Sequence, residues 1–355
     1  MSHPVLRDVR KIAVFRPNAV GDFMYCLPAL QAIKHTYPDA EVVYLGQAWH
    51  AEFLADRPGP VDRTVVIPAL PWIYEAADER CNMKAVDSFL EGMRGEHFDL
   101  ALQMYGGGRY ANPFVAQFGA RTTVGMRTPD AAPLDRCIAY GALVNRRLQL
   151  LEVAALAGAR FWPMTPQLKA TSLDRALAAQ LIPPNAGERL VIVQPGASDA
   201  RRCWSPVRFA AVADALVEEG ALVAINGSDR EEAIVAEVIR AMHHRAINLS
   251  GQASLKALCG LVERATLVLS NDTGPLHMAL ALGRPCVGIY WFTNLIEAAP
   301  LCQEGHRAAL SMRIHCPVCG MENTASRCEH NASFVDDVSL EEVTALSIDL
   351  FRSVC

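Results

Sequence analysis

Four short stretches of this chain put polar side chains where an apolar run gives way to a turn, and their residue types suit the handling of a phosphorylated ligand. The most informative is SNDTGPLHMALALG, Ser270 to Gly283. Leu267 to Ser270 reads as a buried strand, and Asn271, Asp272 and Thr273 are short side chains that hydrogen-bond within turns. Gly274 lets a ligand approach the backbone, and Pro275 fits the first helical position, where its missing N–H costs nothing. The amides of that first turn and the positive end of the helix dipole would face an anion above the strand, with His277 in the same turn. Asp272 or Thr273 serving as an ordinary helix cap fits the spacing equally well.

The second stretch is Gly21-Asp22, just after the run KIAVF. A carboxylate there could take a proton from a hydroxyl, or could cap the helix that follows. In the third, Gly196 to Trp204, Arg201 and Arg202 could clamp a diphosphate bidentately and stabilise it as it departs. A solvated charged loop is the plain alternative. The fourth is Gly227-Ser228 followed by Asp229, Arg230 and Glu231. An acid at this place in a nucleotide-binding domain often accepts hydrogen bonds from ribose hydroxyls, although Glu231 would also suit the first turn of a helix.

Periodicity supplies the elements that must hold these residues. Lys11 to Phe15 reads as a strand, Phe23 to Thr36 as a helix, and Val42 to Gly46, the residues near Val65 and Phe98 to Met104 as further strands with helices between them. The second half repeats the scheme from Arg189 to Gln194, through a helix over 206–219 and strands at 221–227, 247–249 and 267–270, to PCVGIYW. Strand and helix alternation of this kind predicts parallel sheets with crossover helices. Two doubly wound units predict a cleft at the carboxyl ends of their strands. The closely spaced glycine triplet of dinucleotide binders follows neither KIAVF nor RLVIVQ, which disfavours a nicotinamide dehydrogenase.

Composition sets outer bounds. The chain has 355 residues, 51% hydrophobic and 20% charged, with a formal charge of -5. This is enough for two ordinary domains and offers no broad basic field for nucleic acid. No apolar stretch approaches the roughly 20 residues that cross a bilayer, and the start lacks a secretion signal, so a cytoplasmic protein is expected. Most of the eleven cysteines are scattered singly in apolar surroundings, as small core residues are.

Taken together the four stretches resemble the lipopolysaccharide heptosyltransferases of glycosyltransferase family 9. The resemblance rests on RPNAVGDFMYCLPALQAIKHTYPDAEVVYLG, QPGASDARRCWSPVRFAAVADAL, INGSDREE and SNDTGPLHMALALGRPCVGIY, with HCPVC and SFVDDVSLEEV near the end. It implies an α/β GT-B fold: two Rossmann-like doubly wound domains facing a central cleft, the first for the acceptor and the second for the donor. It also implies inverting transfer of a sugar, heptose from ADP-heptose, to a lipid A-core or related glycan acceptor, with neither cofactor nor catalytic metal. Asp22 then matches the base. Arg202, two residues before Trp204, stands where the family commonly has a lysine on the phosphates, and Glu231 matches the ribose-binding acid. Asp272, Thr273, Gly274, Pro275 and His277 match the donor phosphate and sugar site. Gly21 and Arg109 are candidates for the acceptor side, Arg109 in a glycine turn with Arg121, Arg127 and Arg136 as the other basic residues nearby. Transient association with the inner face of the cytoplasmic membrane would accompany a lipid-linked acceptor. A nucleotide-sugar epimerase of the same architecture and a non-catalytic nucleotide or glycan binder are the alternatives.

The expected boundaries are 1–165 for the acceptor domain, 166–188 for a linker, 189–338 for the donor domain and 339–355 for a helix packing back towards the N-terminal domain. Cys316 and Cys319 have zinc-knuckle spacing, and Cys328 with His330 could complete a structural tetrahedral set, although Cys-x-His is tighter than metal spacing usually runs. Free thiols are the default reading, and a reversible disulfide is the third.

Overall fold

In a computed structural model, which describes residues 3–73, 82–161, 164, 167–185, 187–302, 304–324 and 326–354, the chain divides into two compact units, Met1–Met164 and Thr165–Cys355. The N-terminal unit runs β1 (Lys11–Phe15), α1 (Val20–Thr36), β2 (Glu41–Gly46), α2 (Ala48–Leu54), β3 (Arg63–Val66), α3 (Met83–Gly95), β4 (Leu100–Gln103), α4 (Ala111–Ala116), β5 (Thr122–Arg127), β6 (Arg136–Ala139) and α5 (Arg146–Leu156). The C-terminal unit runs α6 (Ser172–Leu181), β7 (Arg189–Gln194), α7 (Pro206–Glu218), β8 (Ala221–Ile225), α8 (Glu232–Ala241), β9 (Ile247–Asn248), α9 (Leu255–Arg264), β10 (Leu267–Asn271), α10 (Gly274–Ala281), β11 (Cys286–Trp291), α11 (Phe292–Ala298), β12 (His306–Ser311) and α12 (Leu340–Ser353).

The sheets are ordered β3-β2-β1-β4-β5-β6 and β12-β11-β10-β7-β8-β9, and every pairing is parallel. Each is the doubly wound order of a Rossmann-like unit, and the chain has the α/β GT-B type of fold. Strand order reverses between β1 and β4 in one unit and between β7 and β10 in the other. Ligands of open α/β sheets bind outside the carboxyl ends of the strands at such a reversal.

Parallel strands covered on both faces must be apolar throughout. Ile12 to Phe15 are fully buried, as are Leu267 to Leu269. At the end of β1, Phe15 packs against Trp72, Tyr105 and Phe114 with ring centroids 5.8, 6.1 and 5.4 Å away. Two residues of carboxyl-side loops are thereby drawn onto the first switch point.

Some expectations need correction. Helix α1 starts at Val20, not Phe23, so Asp22 lies inside the first turn. The expected linker contains α6, whose main partner is α9; Gly260 of α9 lies so close to the Asp174 backbone that a Cβ would stand 2.2 Å from its carbonyl oxygen. This segment therefore belongs to the C-terminal unit. Helix α12 directs its apolar face onto α7, β10, β11 and β12 of that same unit, burying Val343, Leu350 and Phe351 there. This packing lies within the C-terminal unit. Strand β5 and the edge strands β6 and β12 complete the sheets and were not revealed by periodicity alone. No helix among the described residues is long and apolar enough to cross a membrane.

Candidate active site

The four helices that follow the strands flanking the two reversals, α1, α4, α7 and α10, all begin without a side-chain cap. Helices α3, α5, α6, α9 and α12 are capped by Asn82, Asn145, Thr171, Ser254 and Ser339. Uncapped first-turn amides at the switch points remain available to another acceptor. The cap readings of Asp22, Asp272 and Thr273 are thus excluded.

In the N-terminal unit Asp22 is fixed by a residue that the sequence reading passed over. Arg16, the residue after β1, is 4% exposed. It donates through Nη2 to Asp22 Oδ1 at 2.9 Å and through Nε to the Asp22 carbonyl at 2.9 Å, and Nη1 donates to the Met104 carbonyl. Tyr44 donates to the Arg16 carbonyl at 2.6 Å. The side chain of Asp22 keeps 34% of its surface exposed, so one oxygen is gripped while the carboxylate faces outward. Burial, and then the charge of Asp22, hold the Tyr105 phenol above its ordinary range. Burial pushes the nearby Cys26 thiol up to about 12, which keeps it protonated and unreactive. An arginine directly after an all-apolar strand and before a proline was the available signal for Arg16.

Arg109 stands outside this constellation. It is highly exposed, 3.8 Å from Asp130 and over the Tyr110 ring, and it lines a cavity of about 300 Å³ with Leu70, Trp72 and Phe114. Gly106 and Gly108 in its turn have φ of 55° and 85°. Of the other basic residues, Arg121 precedes β5 and Arg136 begins β6. Both lie at the amino edge of the sheet, opposite the switch point, and their guanidinium groups are tied to backbone carbonyls of Arg7 and Leu156.

In the C-terminal unit the polar residues interlock. Asn271, at the end of β10, accepts from the Trp204 amide at 3.2 Å and donates to the Pro195 carbonyl at 2.7 Å. One buried amide thereby fastens both ends of the 195–204 loop. Trp204 anchors that loop, fully buried, with its indole N–H on the Val338 carbonyl at 3.0 Å. Within the loop the two arginines separate. Arg201 folds back onto Asp199 at 2.7 Å and over Trp291. Arg202 reaches the Asp272 carbonyl and carboxylate at 3.3 and 3.4 Å and Ser198 Oγ at 2.8 Å, with 22% of its side chain exposed.

Asp272 and His277 are joined by a 2.8 Å contact between Oδ1 and Nε2 and are almost fully buried, at 2% and 1%. They orient Arg202 and the start of α10 from beneath. Thr273, Gly274 and Pro275 are the partly exposed members of the junction.

Glu231 takes the first-turn role. Its Oε2 accepts from the Ser228 amide at 2.8 Å and hydroxyl at 2.9 Å in a capping box, and Oε1 accepts from Gln194 at 3.3 Å. Gln194 in turn accepts from Asn226 at 2.6 Å. A Cβ on Gly196 would stand 1.9 Å from Glu231 Oε1, so that glycine exists to let the carboxylate through.

The cysteine-rich segment also comes together: the ligand atoms of Cys316, Cys319, Cys328 and His330 all lie within 4.8 Å of one another.

Comparison with known proteins bears on the family and the fold. The sequence model of glycosyltransferase family 9 (heptosyltransferase) matches residues 86–325. The lipopolysaccharide core heptosyltransferase OpsX of Haemophilus influenzae is 24% identical over 82% of this chain and 82% of its own. Among solved structures, the ADP-heptose lps heptosyltransferase II of Escherichia coli superposes with a TM-score of 0.73 at 19% identity, covering 97% of this chain and 99% of that one. The E. coli heptosyltransferase WaaC with ADP gives 0.67 at 17% identity, covering 85% and 93%. With most of the chain matched by the family model, and with the uncapped helix starts, buried polar lattice and outward carboxylate lying at the two strand reversals, this chain belongs to glycosyltransferase family 9, the heptosyltransferases.

Proposed function

We propose that the enzyme transfers heptose from ADP-heptose to a sugar of a lipopolysaccharide core, with inversion and without a metal in the chemical step. The reading is carried by Asp22, whose one oxygen is held by buried Arg16 while the carboxylate stays accessible and uncommitted to the helix end. The acceptor hydroxyl hydrogen-bonds to Asp22 and gives up its proton as its oxygen attacks the anomeric carbon. Attack from the face opposite the leaving group needs this single base and inverts the centre.

The departing diphosphate gains negative charge, which Arg202 and the first-turn amides of α10 stabilise. Arg202 comes prepositioned by Ser198 and Asp272, so little reorganisation is spent when the charge develops. As an arginine where a lysine is common, it binds two phosphate oxygens at once but cannot donate a proton to the leaving group. Glu231, already flanked by Ser228 and Gln194, accepts from a ribose hydroxyl. We place the enzyme in the cytoplasm, meeting its lipid-linked acceptor at the inner face of the membrane.

The ADP-heptose and core assignment draws support from the relatives described above, the donor in one case and ADP in the other being named for those proteins. The test is a transfer assay with ADP-heptose and heptose-deficient core, alongside thermal shifts with ADP, GDP, UDP and dTDP. Heptosylated product and the largest shift with ADP are expected. A larger shift with another nucleotide, and no product, would reject the donor.

A further inference from the structure

We infer that Cys316, Cys319, Cys328 and His330 form a closed structural zinc site, and that this ion holds the lobe that supports the Arg202 loop. Between β12 and α12 the described chain contains one isolated bridge, His315 to Glu322, and neither helix nor strand. A segment this long without regular structure needs some other fastening. Buried Phe334, Val335 and Val338 fasten its last part to the core, but over residues 312–330 the large apolar side chains Met312, Ile314, Val318 and Met321 all face outward, at 41–66% exposure.

Instead the polypeptide is shaped around the thiols. The Val318 amide donates to Cys316 Sγ at 3.4 Å, the Gly320 amide to the Cys316 carbonyl and the Cys316 amide to the Met321 carbonyl, both at 2.9 Å. Gly320 has φ of 71°, so the chain doubles back just after Cys319 and both sulfurs stay on one side. Asn323 positions the second pair by accepting from the Cys328 amide at 3.2 Å. The Cys-x-His pair works here because its chain is neither helix nor strand, so residues two apart can share a side. His330 Nδ1 is shut off from solvent and has no hydrogen-bond partner among the described residues.

Zinc bonds of about 2.3 Å to sulfur place tetrahedral ligand atoms about 3.8 Å apart. The observed spread of 4.8 Å or less closes to that by small side-chain rotations. Three sulfurs and one imidazole nitrogen fill all four positions, leaving none for substrate, so the ion has a structural role and none as a Lewis acid. Each thiol gives up its proton to solvent as its sulfur binds the ion, and no oxidant is involved.

Besides the Trp204 indole on the Val338 carbonyl, the lobe contacts the donor loop at three further points. The Phe334 amide donates to the Arg201 carbonyl at 2.8 Å, Arg201 Nη1 donates to Asn323 Oδ1 at 3.4 Å, and Arg327 lies 3.8 Å from Asp199. Loosening the lobe should therefore loosen Arg202 next door. That last consequence rests on the donor-site reading given above; the zinc site itself does not.

The test is elemental analysis of the full-length enzyme after gel filtration in metal-free buffer, with cobalt exchange read by visible absorption. One zinc per chain, and a cobalt form with thiolate charge-transfer bands, are expected. Cys319→Ser, at the exposed ligand, should lose most of the zinc and several degrees of Tm, whereas Cys259→Ser in α9 should keep its zinc. Zinc at trace level, one equivalent of iron in its place, or a disulfide within the cluster by mass analysis would each overturn the assignment. Chelation should also weaken ADP binding several-fold. Unchanged ADP affinity alongside a full zinc count would overturn the coupling to the donor loop and leave the metal site standing.

Discussion

The two strand reversals of this enzyme share one topology and differ in how they are furnished. At β1/β4 one carboxylate projects outward from a single buried guanidinium. At β7/β10 Asn271, Asp272, His277, Gln194 and Asn226 form a buried polar layer from which Arg202, Glu231 and the start of α10 emerge. A diphosphate has a fixed shape and charge, and a rigid grip suits it because every donor can be preset. A base must meet a hydroxyl on a bulky acceptor, and it needs reach and access more than enclosure. The same fold accommodates both because carboxyl-edge loops vary independently of the strands beneath them.

Substitutions can break or sharpen this contrast. The largest effect is expected from Asp22→Asn, which keeps the shape but removes the base: the transfer rate should fall at least ~100-fold, read from product formation at saturating donor. Next comes Arg202→Ala, which should raise the ADP dissociation constant about 10- to 100-fold, the scale of a lost charge-assisted contact. Equal ADP affinity in that variant would erase the proposed difference between the two reversals. Arg16→Ala leaves Asp22 and the Met104 carbonyl without their partner, and should cost about 1–3 kcal/mol of stability by denaturant titration. Since Arg16 orients the base, transfer should fall with ADP binding preserved. The smallest effect belongs to Glu231→Gln, which retains part of the capping box; about 0.5–1 kcal/mol is expected from loss of the charged acceptor, seen as a modest rise in the dissociation constant for ADP with little change in Tm.

Much of this arrangement was legible in the sequence because the central strands carry apolar runs and the polar residues of the candidate site follow in their carboxyl-side turns. KIAVF, RLVIVQ and LVLS announce themselves, and the polar residues after them are the ones the structure places at the two strand reversals. Strands β5 and β6 were not legible. In β5, Thr122–Arg127, two threonines and a glycine break the apolar run although the strand is buried at its centre, and β6, Arg136–Ala139, is a sheet edge and only partly covered. The supporting residues were hidden for a different reason. Arg16 and Gln194 act through partners at the ends of other strands, Met104 and Glu231, which only the sheet order brings near. Cys316, Cys319, Cys328 and His330, by contrast, were legible as a candidate set; only the tight spacing of the last pair counted against them, and the chain there is irregular enough to bring all four together. Family membership, in turn, sets aside the epimerase and the non-catalytic binder.

The central claim is that chemistry and donor grip reside at separate reversals. Calorimetric titration of ADP into Asp22→Asn, beside the wild type, tests it most directly. The account predicts that affinity stays within about twofold of wild type, because no donor contact passes through that carboxylate. A loss of ADP affinity as large as that expected for Arg202→Ala would contradict it.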